Sequence, residues 1–153
     1  MYDENKHSGV EEFCRDLNLY DFEKVIKENY SGQEEANLLS ALPGIYKGQE
    51  QYNVNGLFSI AVAHIESHGG TAWDLIDSST YNMYSIKSGD GWRQFTDFSD
   101  AALGFARLIA ESGYYFKAEK ITITAIASTY CDEAWGQAVT EEVKRLCEKS
   151  GIE

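Results

Sequence analysis

The stretch that decides the fold runs from Val54 to Gly70 and reads VNGLFSIAVAHIESHGG. Apolar side chains fill almost every position as far as Ile65, so that hardly any polar face is left. A helix that is apolar all round is usually the buried centre of a domain. Gly69 and Gly70 are typical of a helix C-terminus. The sequence therefore predicts a buried central helix over residues 54–68.

Amphipathic helices are predicted on both sides of this centre. Two capping boxes, in which a Ser and a Glu three residues later each satisfy a backbone donor, place helix starts at Ser8 (with Glu11) and at Ser31 (with Glu34). The second of these helices is expected to stop at Pro43 and the glycine after it. Further helices are predicted from Asp21, over residues 100–112, from the Ile121–Ala127 segment and along a stripe from Trp135 to Leu146.

The length and charge of the chain restrict its domain count and its partners. Its 153 residues suffice for one domain, and 25 Asp and Glu against 13 Lys and Arg leave a formal net charge of −12. Nucleic acid and anionic membranes need a basic surface, so we expect neither as a partner. No stretch reaches the ~18 to 20 apolar residues of a membrane span. The acidic pairs Asp132-Glu133 and Glu141-Glu142 are predicted to be solvated.

No metal or other cofactor is predicted. The chain contains three cysteines, Cys14, Cys131 and Cys147. They cannot all pair with one another, and we expect buried or idle thiols, with one disulfide as the alternative. His64 and His68 have metal-ligand spacing on the central helix, but helical geometry turns Glu66 about 200° away from them. Because no third ligand is evident, packing roles are expected for both histidines.

Glu66 is the polar outlier of the central helix. It lies near the C-terminal end, beside Val62, Ala63 and Ile65. Desolvation and the negative end of the helix dipole both raise the pKa of such a carboxyl. A carboxyl that stays protonated near neutral pH is what a glycosidase uses to protonate a leaving oxygen. The alternative is a Glu that reaches solvent at a frayed helix end.

The segment from Thr71 to Phe98 has no clear periodicity and is rich in aromatic residues, as are its surroundings. Long structured loops of this kind are often functional. Aromatic rings suit the apolar face and hydroxyl rim of a sugar, although any single ring can instead fill the core. The aromatic residues in question are Trp73, Tyr81, Tyr84, Trp92, Phe95, Phe98, Tyr114, Tyr115 and Phe116.

Four segments resemble, in order, the motifs of known peptidoglycan hydrolases. Residues 63–71 (AHIESHGGT) resemble the Glu-Ser-x-x-Gly helix end of the lysozyme-like superfamily. Residues 81–87 (YNMYSIK) resemble the Tyr-Asn-x-Phe-Gly-Ile-Lys motif of glycoside hydrolase family 73, the endo-β-N-acetylglucosaminidases of bacteria and phages. Residues 92–102 and 126–135 are similar to that family's Phe-Arg-x-Tyr and late Tyr segments. The resemblance covers about residues 54 to 147.

The resemblance implies a mainly α, lysozyme-like fold with a groove for a glycan strand. The chain would form one catalytic domain over 1–153, with N-terminal helices at 1–48 and a family-like core at 49–150. Glu66 would be the general acid, and Tyr130 the active-site tyrosine that orients the sugar or the attacking water. The residues expected to bind the sugars are Tyr81, Asn82, Tyr84, Trp92 and His68.

The chain departs from the family in the cleft wall and in the hairpin. His68 stands where the family often has a small residue or Trp. The β-hairpin that usually follows the Ile-Lys motif is reduced to residues 88–91, and in many members this hairpin supplies a second carboxylate. Asp90 is the nearest replacement, with Asp77 and Asp132 as others. The substrate's own N-acetyl group is an equal alternative as the nucleophile.

These observations together predict a peptidoglycan hydrolase, most simply an endo-β-N-acetylglucosaminidase. A lytic transglycosylase or muramidase on the same fold is one alternative, and a non-catalytic wall-binding or structural domain is another. The expected partner is the glycan strand, and a monomer is the default. We expect action outside the cell at the bacterial wall. The N-terminus has no secretory signal pattern, so a phage lysin or a module of a larger secreted protein is expected.

Overall fold

Helices form most of the architecture. The structure, a computed structural model, describes residues 19–72 and 78–149. The N-terminal capping box at Ser8, together with Cys14, Trp73 and Asp77, lies outside these residues. The described helices are α1 (Leu19–Asn29), α2 (Gly32–Tyr52), α3 (Gly56–Ser67), α4 (Phe98–Glu111), α5 (Ile123–Tyr130) and α6 (Glu133–Lys149). This confirms the prediction of a mainly α fold.

The central helix α3 is buried, as its sequence predicts. Every residue from Gly56 to Ala63 is buried, and α3 packs against α2, α4 and α6. Its first turn is capped by the Asn55 side chain, which accepts a hydrogen bond from the Leu57 backbone N–H at 2.8 Å. The helix ends at Ser67, as the glycines after it indicate, and His68, Gly69 and Gly70 all have positive φ angles (48°, 63° and 77°).

Helix α2 does not stop at Pro43, and that prediction is wrong. The helix continues to Tyr52 with Pro43 exposed inside it. An interior proline costs about 3 kcal/mol, so tertiary packing must offset that cost. Gly44 supplies the closest contact, because a Cβ added there would lie 1.9 Å from the Ser99 carbonyl oxygen at the start of α4. The close packing of α2 on α4 therefore keeps the helix intact beyond Pro43.

Replacing Gly44 by Ala should destabilise the protein, since the new methyl group would overlap backbone atoms of α4. Overpacking of this kind typically costs about 1–3 kcal/mol. Urea unfolding of Gly44→Ala should show the loss. The exposed α2 substitution Ser40→Ala serves as control and should change stability by less than about 0.5 kcal/mol. Equal stability of the two variants would mean that α2 and α4 are not in close contact.

A very short β-hairpin occupies the position at which the sequence predicts a reduced hairpin. Strands β1 (Lys87–Ser88) and β2 (Gly91–Trp92) pair antiparallel, with Lys87 opposite Trp92. The loop before them is held by the fully buried Asn82, whose amide donates to the Ile86 carbonyl (2.7 Å) and accepts from the Ile86 N–H (3.0 Å). In the part of the chain that the structure describes, the sheet consists of these two short strands.

Three further predictions have outcomes in the structure. The ambiguous Ile121–Ala127 segment is helical from Ile123, with Thr122 as the N-cap. Cys147 is disulfide-bonded and Cys131 is a free, exposed thiol, so the expectation of unpaired thiols is wrong for Cys147. In the described part of the chain, none of the helices has the length and apolar character needed to cross a membrane.

Candidate functional site

Glu66 lies in the last turn of α3, with its carboxylate directed towards α6. The indole Nε1–H of Trp135 donates a hydrogen bond to Glu66 Oε1 at 3.0 Å, and the Ser85 side chain is close enough to lower the pKa of the carboxyl. The Glu66 side chain is partly buried, so it has not escaped into solvent at a frayed helix end. Helix α3, the loop before β1 and helix α6 thus meet at this carboxylate.

Burial raises the pKa of Glu66 above its usual value, because an apolar environment penalises the charged form. The hydrogen bonds from Ser85 and Trp135 act in the opposite direction but do not cancel the effect of burial. The carboxyl group therefore keeps its proton to higher pH than an exposed Glu. This is the property that general acid catalysis requires.

Tyr130 shares this site with Glu66. Its ring stacks on Trp135, with centroids 4.8 Å apart and an interplanar angle of 16°, and its hydroxyl donates to the Tyr84 carbonyl oxygen. Burial raises the pKa of Tyr130, and the nearby Glu66 raises it further, so the phenol stays neutral. Glu66, Trp135 and Tyr130 form a continuous group that we call the acid cluster.

A cavity of about 310 Å³ opens beside the acid cluster. It is lined by Ser85, Ile86, Lys87, Leu108, Tyr115 and Tyr130. Glu66 is not itself a lining residue, but two of its neighbours are: Ser85, whose side chain interacts with the Glu66 carboxylate, and Tyr130 of the acid cluster. The wall combines aromatic rings, a hydroxyl and an ammonium group, a mixture that suits a polar ligand with an apolar face.

Two of the predicted sugar-binding residues are internal. The Asn82 amide is fully buried and bonded to Ile86 on both sides. Tyr84 is also fully buried and stacks on Phe105 with centroids 4.4 Å apart. Neither side chain lines a groove, because the packing of the loop uses both, and the prediction of direct sugar contact is corrected for Asn82 and Tyr84.

The other predicted site residues are at least partly exposed. Tyr81 is exposed and packs edge-on against Phe98 at 5.1 Å between centroids. Trp92 lies in β2 with the Lys87 ammonium 5.7 Å from its ring. Asp90 is exposed in the hairpin turn, where it makes no hydrogen bond or ion pair with any described residue. Asp132 accepts from the Trp135 backbone N–H at 2.8 Å, so it caps α6.

Sequence reasoning missed two partners of Glu66. Trp135 was assigned to the apolar stripe of α6, and only its indole N–H distinguishes it from a core residue. Ser85 has a left-handed backbone (φ 56°), a conformation in which a non-glycine residue is uncommon. In the Tyr-Asn-x-Phe-Gly-Ile-Lys motif that this segment resembles, the position is Gly. The Ser in its place was the sequence signal that could have drawn attention to this residue. Strained residues of this kind tend to cluster at functional sites.

A second group of polar side chains surrounds His64, and its contacts correct the predictions for Glu34 and Glu142. His64 Nδ1 is 2.7 Å from Glu34 Oε2, and His64 Nε2 is 3.5 Å from Glu142 Oε2. Glu34 therefore does not serve a capping box, and Ser31 makes no side-chain cap. Glu142 is buried rather than solvated, because Arg145 binds it at 2.6 and 2.8 Å. His68 packs edge-on against His64, at 5.2 Å between ring centroids, rather than in the acid cluster.

The comparisons with known proteins give no relative. No family model, no curated protein and no solved structure matches the chain significantly.

Proposed function

We propose that the chain is a peptidoglycan hydrolase that cleaves β-1,4 glycosidic bonds, with Glu66 as the general acid. The observation that carries the proposal is a partly buried carboxyl of raised pKa whose neighbours Ser85 and Tyr130 line a cavity. In this proposal the helices form a lysozyme-like fold, in which the buried α3 presents the acid to a glycan groove. The four-segment resemblance supports N-acetylglucosaminidase activity among the possible bond specificities.

In the first step Glu66 donates its proton to the glycosidic oxygen while the bond from that oxygen to the anomeric carbon breaks. Positive charge then develops at the anomeric carbon and ring oxygen of the sugar. The hydrogen of the Tyr130 hydroxyl is committed to the Tyr84 carbonyl, so the lone pairs of the phenol oxygen are free to face this charge. Trp135 keeps the acid in place through its indole N–H.

The mechanism also requires a group that stabilises the positive charge on the sugar. Among the described residues, no second carboxylate contributes to the pKa shift of Glu66, and Asp90 stands exposed in its turn. Substrate assistance by the N-acetyl group needs no second carboxylate, and it is one of the recognised exceptions to the two-carboxylate mechanism. These observations favour the substrate's N-acetyl group over Asp90 as the internal nucleophile.

Lytic transglycosylation is the second candidate function, favoured by the same observation. One acid suffices when a hydroxyl of the substrate itself attacks the anomeric carbon and closes an anhydro ring. Mass spectrometry of purified peptidoglycan digested by the protein separates the two reactions. Reducing N-acetylglucosamine ends are expected from the proposed activity, whereas anhydro-muramic ends would replace it with the second candidate. Absence of soluble products would contradict both and favour a non-catalytic wall-binding domain.

The compartment proposed for this activity is the bacterial cell wall, outside the cytoplasm. The disulfide at Cys147 supports this, because structural disulfides persist mainly in oxidising environments. The free Cys131 is exposed and does not affect this argument.

The substitution Trp135→Phe should move the pH profile of hydrolysis. Phenylalanine keeps a ring for Tyr130 to stack on, but it removes the N–H that stabilises the Glu66 carboxylate. The pKa of Glu66 should rise, so the acid stays protonated to higher pH and the alkaline limb of kcat/KM moves upward. The rate at the acidic plateau should fall by less than about tenfold, since the acid itself is retained.

The variant Ser85→Gly removes the other donor and should shift the alkaline limb in the same direction. Glycine also suits the left-handed backbone at this position. The variant Tyr114→Phe, at an exposed ring, is the matched control and should leave the profile unchanged. An unchanged limb in both Trp135→Phe and Ser85→Gly would show that Glu66 is not the titrating acid.

A further inference from the structure

The fold brings together three metal-ligating side chains that the sequence places far apart. Glu34 in the first turn of α2, His64 in α3 and His68 at the cap of α3 each offer one ligand atom, and these atoms lie within 4.8 Å of one another. Sequence reasoning found no third ligand for the two histidines because Glu34 is thirty residues away from His64. We propose that Glu34, His64 and His68 form a binding site for a divalent transition metal ion, with zinc as the reference ion.

The distances suit such an ion after small side-chain movements. Zinc bonds of about 2.0–2.1 Å in a tetrahedral site place the ligand atoms about 3.3 Å apart. Glu34 Oε2 and His64 Nδ1 are 2.7 Å apart in a hydrogen bond, so they would separate slightly around a metal. His68 is exposed and its ring is free to turn towards the ion. Two imidazoles and one carboxylate leave a position for water, as in open zinc sites.

The backbone around the three ligands is already fixed. The Asn37 side chain of α2 donates to the Gly69 carbonyl at 2.9 Å and ties the end of α3 to α2. A Cβ at Gly69 would lie 2.7 Å from Glu34 Cγ, so only glycine lets the Glu34 side chain pass. His68 holds the left-handed cap (φ 48°) that usually belongs to glycine, which keeps its ring beside His64.

The groups around His64 are of the kind that usually supports a metal-bound histidine. A metal-bound histidine normally donates its second ring N–H to a carboxylate, which fixes the ring and makes it a better ligand. His64 Nε2 lies 3.5 Å from Glu142, while Nδ1 faces Glu34. Glu142 is itself held by Arg145 and by the Tyr30 hydroxyl at 2.7 Å. The positive charge of Arg145 neutralises Glu142, so the negative charge of Glu34 is available to bind the metal ion.

The mixture of ligands selects the class of ion. Calcium and magnesium prefer all-oxygen sites, whereas imidazole nitrogen suits zinc and its transition-metal neighbours. Glu66 on the same helix contacts Trp135 and Ser85 instead of these histidines. The metal site is therefore separate from the acid cluster and does not depend on the proposed hydrolysis.

Calorimetric titration of the EDTA-treated, dialysed full chain with zinc chloride tests the proposal. We expect one zinc ion per chain, a higher Tm with zinc, and a visible absorption spectrum of tetrahedral type when cobalt(II) replaces zinc. The variants His68→Ala and Glu34→Gln should each weaken zinc binding at least tenfold and lose the rise in Tm. Glu35→Gln, the neighbouring carboxylate on α2, is the matched control and should bind zinc like the unmodified chain.

Circular dichroism of the same variants shows whether they keep the fold, and His68→Ala changes only an exposed side chain. Absence of zinc binding to the unmodified chain would overturn the proposal. Zinc binding that persists in both His68→Ala and Glu34→Gln would also overturn the proposal. If the variant Cys131→Ser then lost this zinc binding, the ion would be bound at the exposed thiol instead.

Discussion

The substitution Glu66→Gln should reduce peptidoglycan hydrolysis by about 10²- to 10⁴-fold, the contribution usual for a general acid. Glutamine has nearly the same shape and still accepts the hydrogen bond from Trp135, so the geometry of the cavity is retained. It has no proton to give to the glycosidic oxygen, so only the chemical step suffers. Initial rates of release of soluble fragments from purified peptidoglycan measure the effect.

The loss should not come from unfolding, because Glu66→Gln is expected to raise stability at neutral pH. A pKa that is higher in the folded than in the unfolded state stabilises the fold at low pH. This contribution is lost as pH rises through the folded-state pKa. Glutamine does not titrate, so the gain in Tm over the unmodified chain should grow with pH through that range.

Glu50→Gln is the matched control for both measurements, since Glu50 is an exposed residue of α2, a helix that contributes no residue to the acid cluster. Its activity and its Tm should stay close to those of the unmodified chain. Full activity of Glu66→Gln would contradict the proposed function. A fall in its Tm at neutral pH would contradict the burial argument and leave the loss of activity without a clear cause.

Local sequence information was sufficient to place most of the helices and to single out Glu66. The central helix α3 was predictable because fifteen consecutive residues, 54–68, carry the apolar signal without help from other parts of the chain. Glu66 could be singled out because a carboxylate in that environment is a local anomaly. The caps at Asn55 and Thr122 also involve only neighbouring residues, although neither was predicted.

Long-range contacts decided the features that sequence reasoning missed. Pro43 continues α2 because Gly44 packs on the backbone of α4, which no local rule can anticipate. Glu34 matches a capping box by spacing, yet its carboxylate binds His64 instead of the backbone. The indole of Trp135 reaches Glu66 across 69 residues of sequence. Partners of this kind depend on how helices pack, and periodicity carries no information about that.

The substitution Phe105→Ala should destabilise the protein by about 3–5 kcal/mol, the usual cost of removing a buried aromatic side chain. Phe105 is fully buried in α4 and lies under the acid cluster. Its ring stacks on Tyr84 at 4.4 Å and contacts Phe58 of α3 at 5.6 Å and Tyr130 at 6.0 Å between centroids. The cavity left behind would remove support from α3, the loop and α5 together.

Such a loss is a large share of the ~5–15 kcal/mol by which domains are stable, so it should be easy to measure. A chain of this size loses about 2–4 °C in Tm per kcal/mol, which predicts a decrease of about 6–20 °C. Phe105→Leu, which refills most of the volume, should lose less, and Tyr114→Ala, at a ring 67% exposed, should lose almost nothing. If Phe105→Ala melts like Tyr114→Ala, the aromatic stack does not support the acid cluster. Tyr130 must then be positioned by Trp135 and the Tyr84 carbonyl alone.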